Sequence, residues 1–185
     1  GEERLTGKGV AYCAICDAPL YTDKEVVIVG GGNSAIEAAI DLAKIAEEVT
    51  IVQLLDHLTA DQILVERLEE YDNVDILFEH EVTAIEGDNK VENIVVEDTE
   101  QQQQQEIAAD GIFIEIGWLP NTDFVEGVLQ LNDYNEIMVD CKCRTNKEGI
   151  FAAGDITNVP FKQIIIASGE GAKAALSACD YVLKS

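Results

Sequence analysis

The sequence contains no run of 18 or more apolar residues, which excludes a membrane-spanning helix of ordinary length. Its first nine residues are charged and glycine-rich and lack the apolar stretch of a secretory signal, so we expect a cytoplasmic protein. The chain does not begin with methionine, and from this we expect a trimmed or excised piece of a longer protein.

Basic residues are scarce, because 12 lysines and arginines stand against 36 aspartates and glutamates, for a formal net charge of −24. They form no stripe with interleaved aromatic residues, whereas binding to a phosphate backbone requires clustered Lys and Arg. Nucleic acid is therefore excluded as the expected partner. We interpret the acidity as a solvated surface rather than as adaptation to a salt-rich habitat.

Histidine is nearly absent, and His57 and His80 stand far apart without a partner motif. Five cysteines are present, an odd number with uneven spacing, which does not fit the disulfide framework of a secreted domain. The segment Cys13-Ala14-Ile15-Cys16 brings two sulfurs close enough for a small disulfide ring, and such pairs support thiol–disulfide exchange. The alternative is half of a zinc site, but Cys141-Lys142-Cys143 is an abnormal second ligand pair. We expect no metal.

Two further residues bear on the chemistry of the cysteines. Asp17 directly follows the pair and is placed to relay a proton to or from a departing thiolate. Cys179 falls on the apolar face of a predicted final helix, where we expect it to be a core residue.

Hydrophobic periodicity predicts a strand at Val26–Val29, a glycine turn, a helix at Ala35–Ile45 and a strand at Val49–Gln53. This is a βαβ unit, which implies an α/β fold with a parallel sheet. The run Gln101–Gln105 is interpreted as a hairpin tip or a disordered loop. The remaining predicted elements are a helix at Gln62–Tyr71, strands at Val74–Phe78, Glu81–Glu86, Val91–Glu97 and Ile107–Gly117, strand-like segments at Glu136–Val139 and Gly149–Ala152, and a helix at Gln163–Leu183.

The turn Gly30-x-Gly32-x-x-Ala35 matches the dinucleotide fingerprint, with the required strand before it and helix after it. The first glycine permits the tight turn, the second lets the backbone approach a pyrophosphate, and the small third residue lets the helix pack on the strand. An incidental glycine turn is the competing interpretation. No arginine follows the second strand before Arg67, so NADH is preferred over NADPH, with Gln53 placed to hydrogen-bond a ribose hydroxyl.

Two segments, Gly9–Asp17 and Gly30–Glu37, resemble low-molecular-weight thioredoxin reductases and, more closely, the flavoprotein subunit of bacterial alkyl hydroperoxide reductases. The resemblance extends over essentially the whole chain. Other segments that carry it are Ala60–Gln62, Gly117–Thr122, Phe151–Gln163 and Gly169–Ala178.

The resemblance implies electron flow from NAD(P)H to FAD, then to the Cys13–Cys16 disulfide, and finally to a thioredoxin-like domain or a peroxiredoxin. Cys16 would face the flavin, Cys13 would attack the partner disulfide, and Asp17 would be the acid–base residue. The residues expected to bind the nicotinamide dinucleotide or the flavin are Gly30, Gly32, Asn33, Ser34, Ala35, Glu37, Gln53, Gly117, Gly154, Asp155, Lys162, Gln163 and Ile164.

The resemblance also implies a domain organisation. Residues 1–116 would form an NAD(P)H-binding domain, Rossmann-like and three-layered (ββα), with a parallel sheet, a β-meander and the CxxC pair. Residues 117–185 would form the C-terminal part of an FAD-binding domain. Family members are usually homodimers, and the other half of their FAD domain precedes the CxxC segment. We therefore expect FAD to require that other half and the chain to be inactive alone. The alternative is a stand-alone nucleotide-binding module without turnover.

Four positions depart from the family pattern, and all bear on the choice of nucleotide. Leu54, Leu55 and Thr59 stand where NADPH-dependent thioredoxin reductases carry arginines, and Gln53 stands where the peroxide-reductase flavoproteins usually place glutamate.

Overall fold

Parallel β-structure organises the first two-thirds of the chain, in a computed structural model that describes residues 1–184. Five strands form one sheet in the order β1-β8-β2-β3-β4, and three more form an antiparallel sheet in the order β5-β6-β7. The strands are β1 (Val10–Ala11), β2 (Glu25–Val29), β3 (Glu48–Gln53), β4 (Val74–Phe78), β5 (His80–Glu86), β6 (Asn93–Asp98), β7 (Gln104–Ala108) and β8 (Gly111–Ile114). The helices are α1 (Glu2–Leu5), α2 (Ala14–Asp17), α3 (Asn33–Ala43), α4 (Gln62–Leu68) and α5 (Ile164–Lys184), with 3-10 turns at Ala18–Tyr21 and Asp123–Val125.

The two faces of the parallel sheet are covered by different layers. Side chains alternate along a strand, so Val26 and Ile28 of β2 face one side while Val27 faces the other. The first side packs against the apolar residues of α3, including Ile36. The second packs against the antiparallel sheet, including Ile94. Helix, parallel sheet and antiparallel sheet therefore form three layers, which confirms the α/β, Rossmann-like fold predicted for this part of the chain.

Strand β8 is the last strand in sequence, yet it lies between β1 and β2. Ile112 pairs with Val10 on one side and with Val27 on the other, and all these pairings are parallel. Phe113 is fully buried and its ring meets that of Tyr21 edge-on, with centroids 5.0 Å apart. The short strand β1 is therefore attached to the sheet through β8.

The structure corrects several predicted elements. The single strand expected at Ile107–Gly117 is two strands, β7 and β8, which belong to different sheets, and Asp110 lies between them. The glutamine run is a turn only in part, since β7 begins at Gln104. Glu136–Val139 and Gly149–Ala152 contain isolated bridges rather than strands, at Ile137 and Phe151.

The chain divides into two compact units, Gly1–Gly117 and Trp118–Ser185. The first contains both sheets. The second consists of turns and isolated bridges followed by the 21-residue helix α5, none of whose described residues is fully buried. Cys179 is exposed on this helix, so the expectation that it lies in a core was wrong. Within residues 1–184, no helix combines the length and the apolar character needed to cross a membrane.

Candidate active site

Four strands of the parallel sheet end at the same edge, and the residues that follow them form the candidate site. Cys13 follows β1, Gly30 follows β2, Gln53 closes β3 and Glu115 follows β8. Ligands of open parallel sheets bind outside the carboxyl ends of the strands. The predicted redox pair and the predicted dinucleotide turn therefore lie on strands on either side of β8, within one compact unit.

Cys13 and Cys16 are joined in a disulfide, with their Cα atoms 5.4 Å apart. Cys13 has an extended backbone and occupies the N-cap of α2, whose single turn forms because the amides of Cys16 and Asp17 donate to the Cys13 carbonyl at 3.1 and 3.0 Å. Cys16 is exposed and Cys13 is half-buried. The roles of the two sulfurs inferred from the resemblance stay predictions.

Asp17 closes the turn of α2 and is half-buried next to the disulfide. Burial raises the pKa of Tyr21 above the ordinary phenol value, and the nearby carboxylates of Asp17 and Asp110 raise it further. The predicted acid–base role of Asp17 is compatible with its place beside Cys16.

The three glycines of the turn have different surroundings. Gly30 has φ +124°, and a Cβ there would collide with the carbonyl oxygen of Glu115. A Cβ on Gly31 would collide with the side chain of Gln53. A Cβ on Gly32 would meet nothing closer than the Thr59 hydroxyl at 3.7 Å, so it would project into open space. That space is a cradle that an added methyl group would fill, as the second glycine of a dinucleotide turn requires.

Helix α3 begins directly after this turn with Gly32 as its N-cap, and no side chain caps its first amides. An uncapped helix N-terminus offers N–H groups and a positive dipole end to an anion. Ala35 is fully buried, which lets the helix lie close to the sheet. The geometry therefore fits the pyrophosphate of a nicotinamide dinucleotide.

The loop after β3 is tied to the glycine turn by hydrogen bonds. The Gly31 carbonyl accepts the amides of Thr59 and Ala60 at 2.8 and 3.1 Å. The Asn33 side chain bonds Asp61 twice, donating to its carboxylate at 3.0 Å and accepting from its amide at 2.7 Å. The neighbouring loop therefore holds the predicted phosphate-binding turn in place, and Asn33 contributes through its two hydrogen bonds to Asp61.

Gln53 is buried, and its amide group is engaged by the loop that follows it. Its Nε2 donates to the His57 carbonyl at 2.9 Å, and its Oε1 accepts the Leu54 amide at 3.1 Å. The predicted ribose contact would have to compete with these bonds. Asp56 is exposed in the same loop, and its hydrogen bond with His57 lowers the pKa of the carboxyl.

Glu115 is a member of this site that no sequence motif revealed. It is half-buried, and its amide donates to the Val29 carbonyl at 2.9 Å. Burial raises the pKa of Glu115 and nearby Glu37 raises it further, while Ser34 and the backbone of Ala14 lower it. One sequence feature could have identified it: Glu115 is a carboxylate directly following a buried strand of a parallel sheet.

The remaining predicted flavin residues lie in the second unit. Gly154 has φ +81°, and its carbonyl accepts the Thr157 amide and hydroxyl at 3.0 and 2.7 Å. Lys162 donates to the carbonyls of Asp155 and Thr157 at 3.0 and 2.6 Å and pairs with Glu136 at 2.7 Å. Lys162 therefore organises the turn that contains Gly154, and Gln163 and Ile164 lead from it into α5.

A flavin fits these residues only in part. Among residues 118–184 no β-strand precedes a glycine turn and helix, so the second unit offers no pyrophosphate cradle of the kind seen after β2. Gly117, the last residue of the first unit, has φ +96°, and a Cβ added there would meet nothing within 4 Å. Within the described chain no group of three or more His, Cys, Asp or Glu side chains could hold a metal ion.

Comparison with known proteins adds a family to this geometry. The family model described as pyridine nucleotide-disulphide oxidoreductase matches residues 1–172. An alkyl hydroperoxide reductase subunit of Escherichia coli (strain K12) is 48% identical over all of this chain, and the chain spans 36% of that relative. A protein named NADH dehydrogenase from Ferdinandcohnia aciditolerans is 46% identical over all of this chain, which spans 36% of it. The crystal structure of thioredoxin reductase from Streptococcus pyogenes MGAS5005 matches all of this chain with a TM-score of 0.93 at 37% identity, over 61% of its own length.

Proposed function

This chain belongs to the pyridine nucleotide-disulphide oxidoreductase family, and from that premise we propose that it serves in passing electrons from NADH, through FAD and the Cys13–Cys16 disulfide, to a partner protein. The chain spans about a third of the length of the curated relatives it matches, so the activity of the whole protein is part of the proposal. The observation that carries it is the placement of a disulfide and a fitted dinucleotide turn at one edge of one sheet.

The nicotinamide dinucleotide would be held by the first unit. The cradle at Gly32 and the uncapped amides of α3 receive the pyrophosphate, and the buried Ala35 keeps that helix on the sheet. A reduced nicotinamide supplies two electrons as a hydride, and a flavin accepts such electrons and delivers them to disulfides, which is the chemistry these groups contribute when bound.

A flavin would be held jointly by the Gly154 turn, Lys162 and protein outside this chain. We propose this because the second unit supplies an ordered turn but no cradle of its own. The division into a nucleotide-binding part ending near residue 116 and a flavin-binding part belongs to the same proposal, as does a homodimeric whole protein.

The disulfide chemistry can be written for this chain's own residues. Two electrons and two protons convert the Cys13–Cys16 bond into two thiols, and Asp17, the residue after Cys16, would hold one of these protons. The Cys13 thiolate then attacks a sulfur of the partner's disulfide, which breaks that bond and forms a mixed disulfide. Attack by Cys16 on Cys13 closes the ring again and releases the partner as a dithiol.

The partner would be a thioredoxin-like domain or a peroxiredoxin. A thioredoxin reductase is among the similar solved structures, and an alkyl hydroperoxide reductase subunit is among the similar curated proteins. Both kinds of partner present a protein disulfide, which is the group that the exchange step requires.

NADH is proposed over NADPH because of the loop after β3. No lysine or arginine occurs between Gln53 and Arg67, so the 2′-phosphate of NADPH would meet no cation there. The loop carries Asp56 instead, and the hydrogen bond from His57 lowers the pKa of its carboxyl. A carboxylate in this loop would repel a 2′-phosphate, whereas the ribose hydroxyls of NADH carry no charge.

A trapping experiment tests the exchange step. Cys141 and Cys179 are exposed free thiols, so both are first replaced with serine in every protein tested. On this background the resolving sulfur is absent in Cys16→Ser, and the variant should form a mixed disulfide with a thioredoxin activated as its nitrothiobenzoate derivative. In Cys13→Ser on the same background the trap should fail, and non-reducing gel electrophoresis distinguishes the two. Trapping by the Cys13→Ser variant alone would reverse the two roles, and trapping by neither would refute the proposed function.

A nucleotide-binding module without turnover is the second candidate, favoured by the lack of a cradle among the described residues of the second unit. The test needs the whole protein, because both candidates predict that this chain alone is colourless. A colourless whole protein that NADH protects from proteolysis would support the module, because bound flavin absorbs visible light. A yellow whole protein that is reduced by NADH would exclude it.

A further inference from the structure

A cavity of about 160 Å³ opens at the amino ends of β2 and β3, between the parallel sheet and strand β7. One water needs only about 10–15 Å³ of such space, so the cavity has room for an ion together with several waters. The candidate active site follows the carboxyl ends of the same strands, and the cavity therefore lies at the opposite edge of the sheet. Its lining residues are Glu25, Val26, Glu48, Thr50, Ile107 and Ala108.

Two glutamates stand side by side at this cavity. Glu25 of β2 and Glu48 of β3 are direct partners in the parallel register, so their side chains leave the same face of the sheet from strands about 4.7–4.9 Å apart. That face also carries Val27 and packs against the antiparallel sheet. Both glutamates are exposed, and like charges on paired strands repel each other. Their pairing is therefore unfavourable unless something positive lies between them.

The protein itself supplies no such positive group within residues 1–184. No lysine or arginine of this part of the chain lines the cavity. Lys24 directly precedes Glu25, but its Nζ lies over the ring of Tyr21, 5.2 Å from the centroid, and that ring belongs to the opposite face of the sheet. Lys90 is engaged with Asp110 at 2.9 Å. The two carboxylates are therefore left to an ion from solution.

The hydroxyl of Thr50 is an independent observation that points to a ligand. Thr50 stands two residues after Glu48 on β3, so its side chain faces the same side, and it lines the cavity although only 8% of the residue is exposed. Among residues 1–184 no protein group forms a hydrogen bond with this hydroxyl, yet no fully enclosed side-chain atom there lacks a partner. The oxygen therefore opens into the cavity. A polar group at this depth is costly to leave without a partner.

We propose that the carboxylates of Glu25 and Glu48 and the hydroxyl of Thr50 bind one calcium ion, whose remaining ligands are waters in the cavity. Ca²⁺ takes roughly six to eight oxygen ligands in flexible geometry, which suits two carboxylates at the rim and a hydroxyl deeper inside, whereas Mg²⁺ demands a near-ideal octahedron. The site has only two carboxylates, so it differs from the sets of three His, Cys, Asp or Glu side chains that the described chain lacks. It departs from our expectation of no metal, which concerned cysteine and histidine ligands.

Isothermal titration calorimetry of the full chain with CaCl₂ tests the site. Divalent ions are first removed with a chelator, and about 0.1 M KCl screens general attraction to the acidic surface. We expect one Ca²⁺ per chain with a dissociation constant of roughly 10⁻⁴–10⁻³ M, the range of weak calcium sites. Saturating Ca²⁺ should also raise the urea midpoint, because the ion binds only the folded state. Absence of saturable binding would overturn the inference, and so would tighter binding of Mg²⁺ than of Ca²⁺.

Four variants separate the contributions of the three side chains. Glu25→Gln and Glu48→Gln should each weaken Ca²⁺ binding at least about tenfold, since a charged ligand becomes neutral. Thr50→Val keeps the shape of the side chain without its hydroxyl and should weaken binding about fivefold, whereas Thr50→Ser retains the hydroxyl and should bind like the unaltered chain. Circular dichroism checks the fold of each variant. Unchanged binding by Thr50→Val would show that the cavity does not hold the ion, which overturns the site.

Glu81→Gln is the matched control. Glu81 and Glu97 are also direct register partners, on β5 and β6, but Gln104 donates to Glu97 at 2.7 Å and neither glutamate lines the cavity. Glu81→Gln changes the net charge equally and should bind Ca²⁺ like the unaltered chain. If it weakens binding as much as Glu48→Gln does, general acidity attracts the ion and the inference fails. Such a failure leaves the proposed electron transfer untouched, because the trapping experiment reads only the cysteine pair.

Discussion

Replacing Gly32 with alanine should weaken dinucleotide binding strongly while leaving the fold intact. Replacing Gly30 with alanine should instead destabilise the fold. The two residues are separated by one position in the same turn, yet their surroundings differ. Gly32 has an extended backbone, φ −87° and ψ −176°, which alanine adopts without strain. Gly30 has φ +124°, and the carbonyl of Glu115 occupies the place of its missing Cβ.

The expected magnitudes follow from this geometry. At Gly32, alanine reduces the freedom of the unfolded chain and thereby stabilises the fold by about 0.4–1 kcal/mol. Alanine is also a poorer N-cap than glycine, which costs roughly 0.5–1 kcal/mol, so the net change should be near zero. At Gly30, the forbidden φ alone costs about 1–3 kcal/mol and the collision adds to it, so we expect a loss of ~3 kcal/mol or more.

Urea denaturation and NADH fluorescence titration measure the two effects separately. Gly32→Ala should keep the midpoint of unfolding and weaken NADH binding at least about tenfold, because the methyl group fills the space a pyrophosphate approaches. Gly30→Ala should lower the midpoint clearly. NADH binding by Gly32→Ala at the affinity of the unaltered chain would refute the assignment of this turn as the dinucleotide site.

Three further outcomes can be checked on the same chain. Phe113→Ala should lower the free energy of unfolding by about 3–5 kcal/mol, measured by urea denaturation, because the ring is fully buried. A loss below ~1 kcal/mol would contradict the place of Phe113 in the core. At pH 8 iodoacetamide should label the exposed Cys141 and Cys179 before Cys143. The reason is that burial and the Glu170 carboxylate raise the pKa of the Cys143 thiol to about 11. Peptide mass spectrometry should therefore show that labelling of Cys143 increases as the pH approaches 11. Asp56→Arg should lower the ratio of NADH to NADPH affinity at least about tenfold in fluorescence titration, and an unchanged ratio would remove the loop after β3 from nucleotide selection.

Much of the fold is predictable from the sequence where the pattern is local. The strands β2 and β3, helix α3 and the glycine turn follow from hydrophobic periodicity within about 30 residues. Periodicity does not tell which sheet a strand joins. A single strand is therefore the natural prediction for the apolar segment around Ile107–Gly117, although β7 and β8 belong to different sheets.

The residues of the candidate site were likewise predictable only where they belong to a contiguous motif. The CxxC pair and the glycine turn are contiguous motifs, and the sequence identifies them directly. Glu115 belongs to no such motif, because β8 comes about 80 to 100 residues after β1 and β2 and reaches this edge only by its insertion between them. The prediction for Cys179 was wrong for another reason. The apolar pattern of α5 indicates which face of the helix could be buried, but it does not tell whether another element packs on that face.

The position of β8 has a consequence for the order in which this protein becomes folded. A ribosome delivers the amino end first, so β1 and the two cysteines emerge about 100 residues before the strand that attaches them to the sheet. Until Gly111–Ile114 pairs on both sides, the edge that carries Cys13 has no neighbour, and contacts of such long sequence separation form slowly. The nascent chain therefore carries its reactive thiols for a period without the surroundings that define their chemistry. Truncation before Gly111 should make that state permanent.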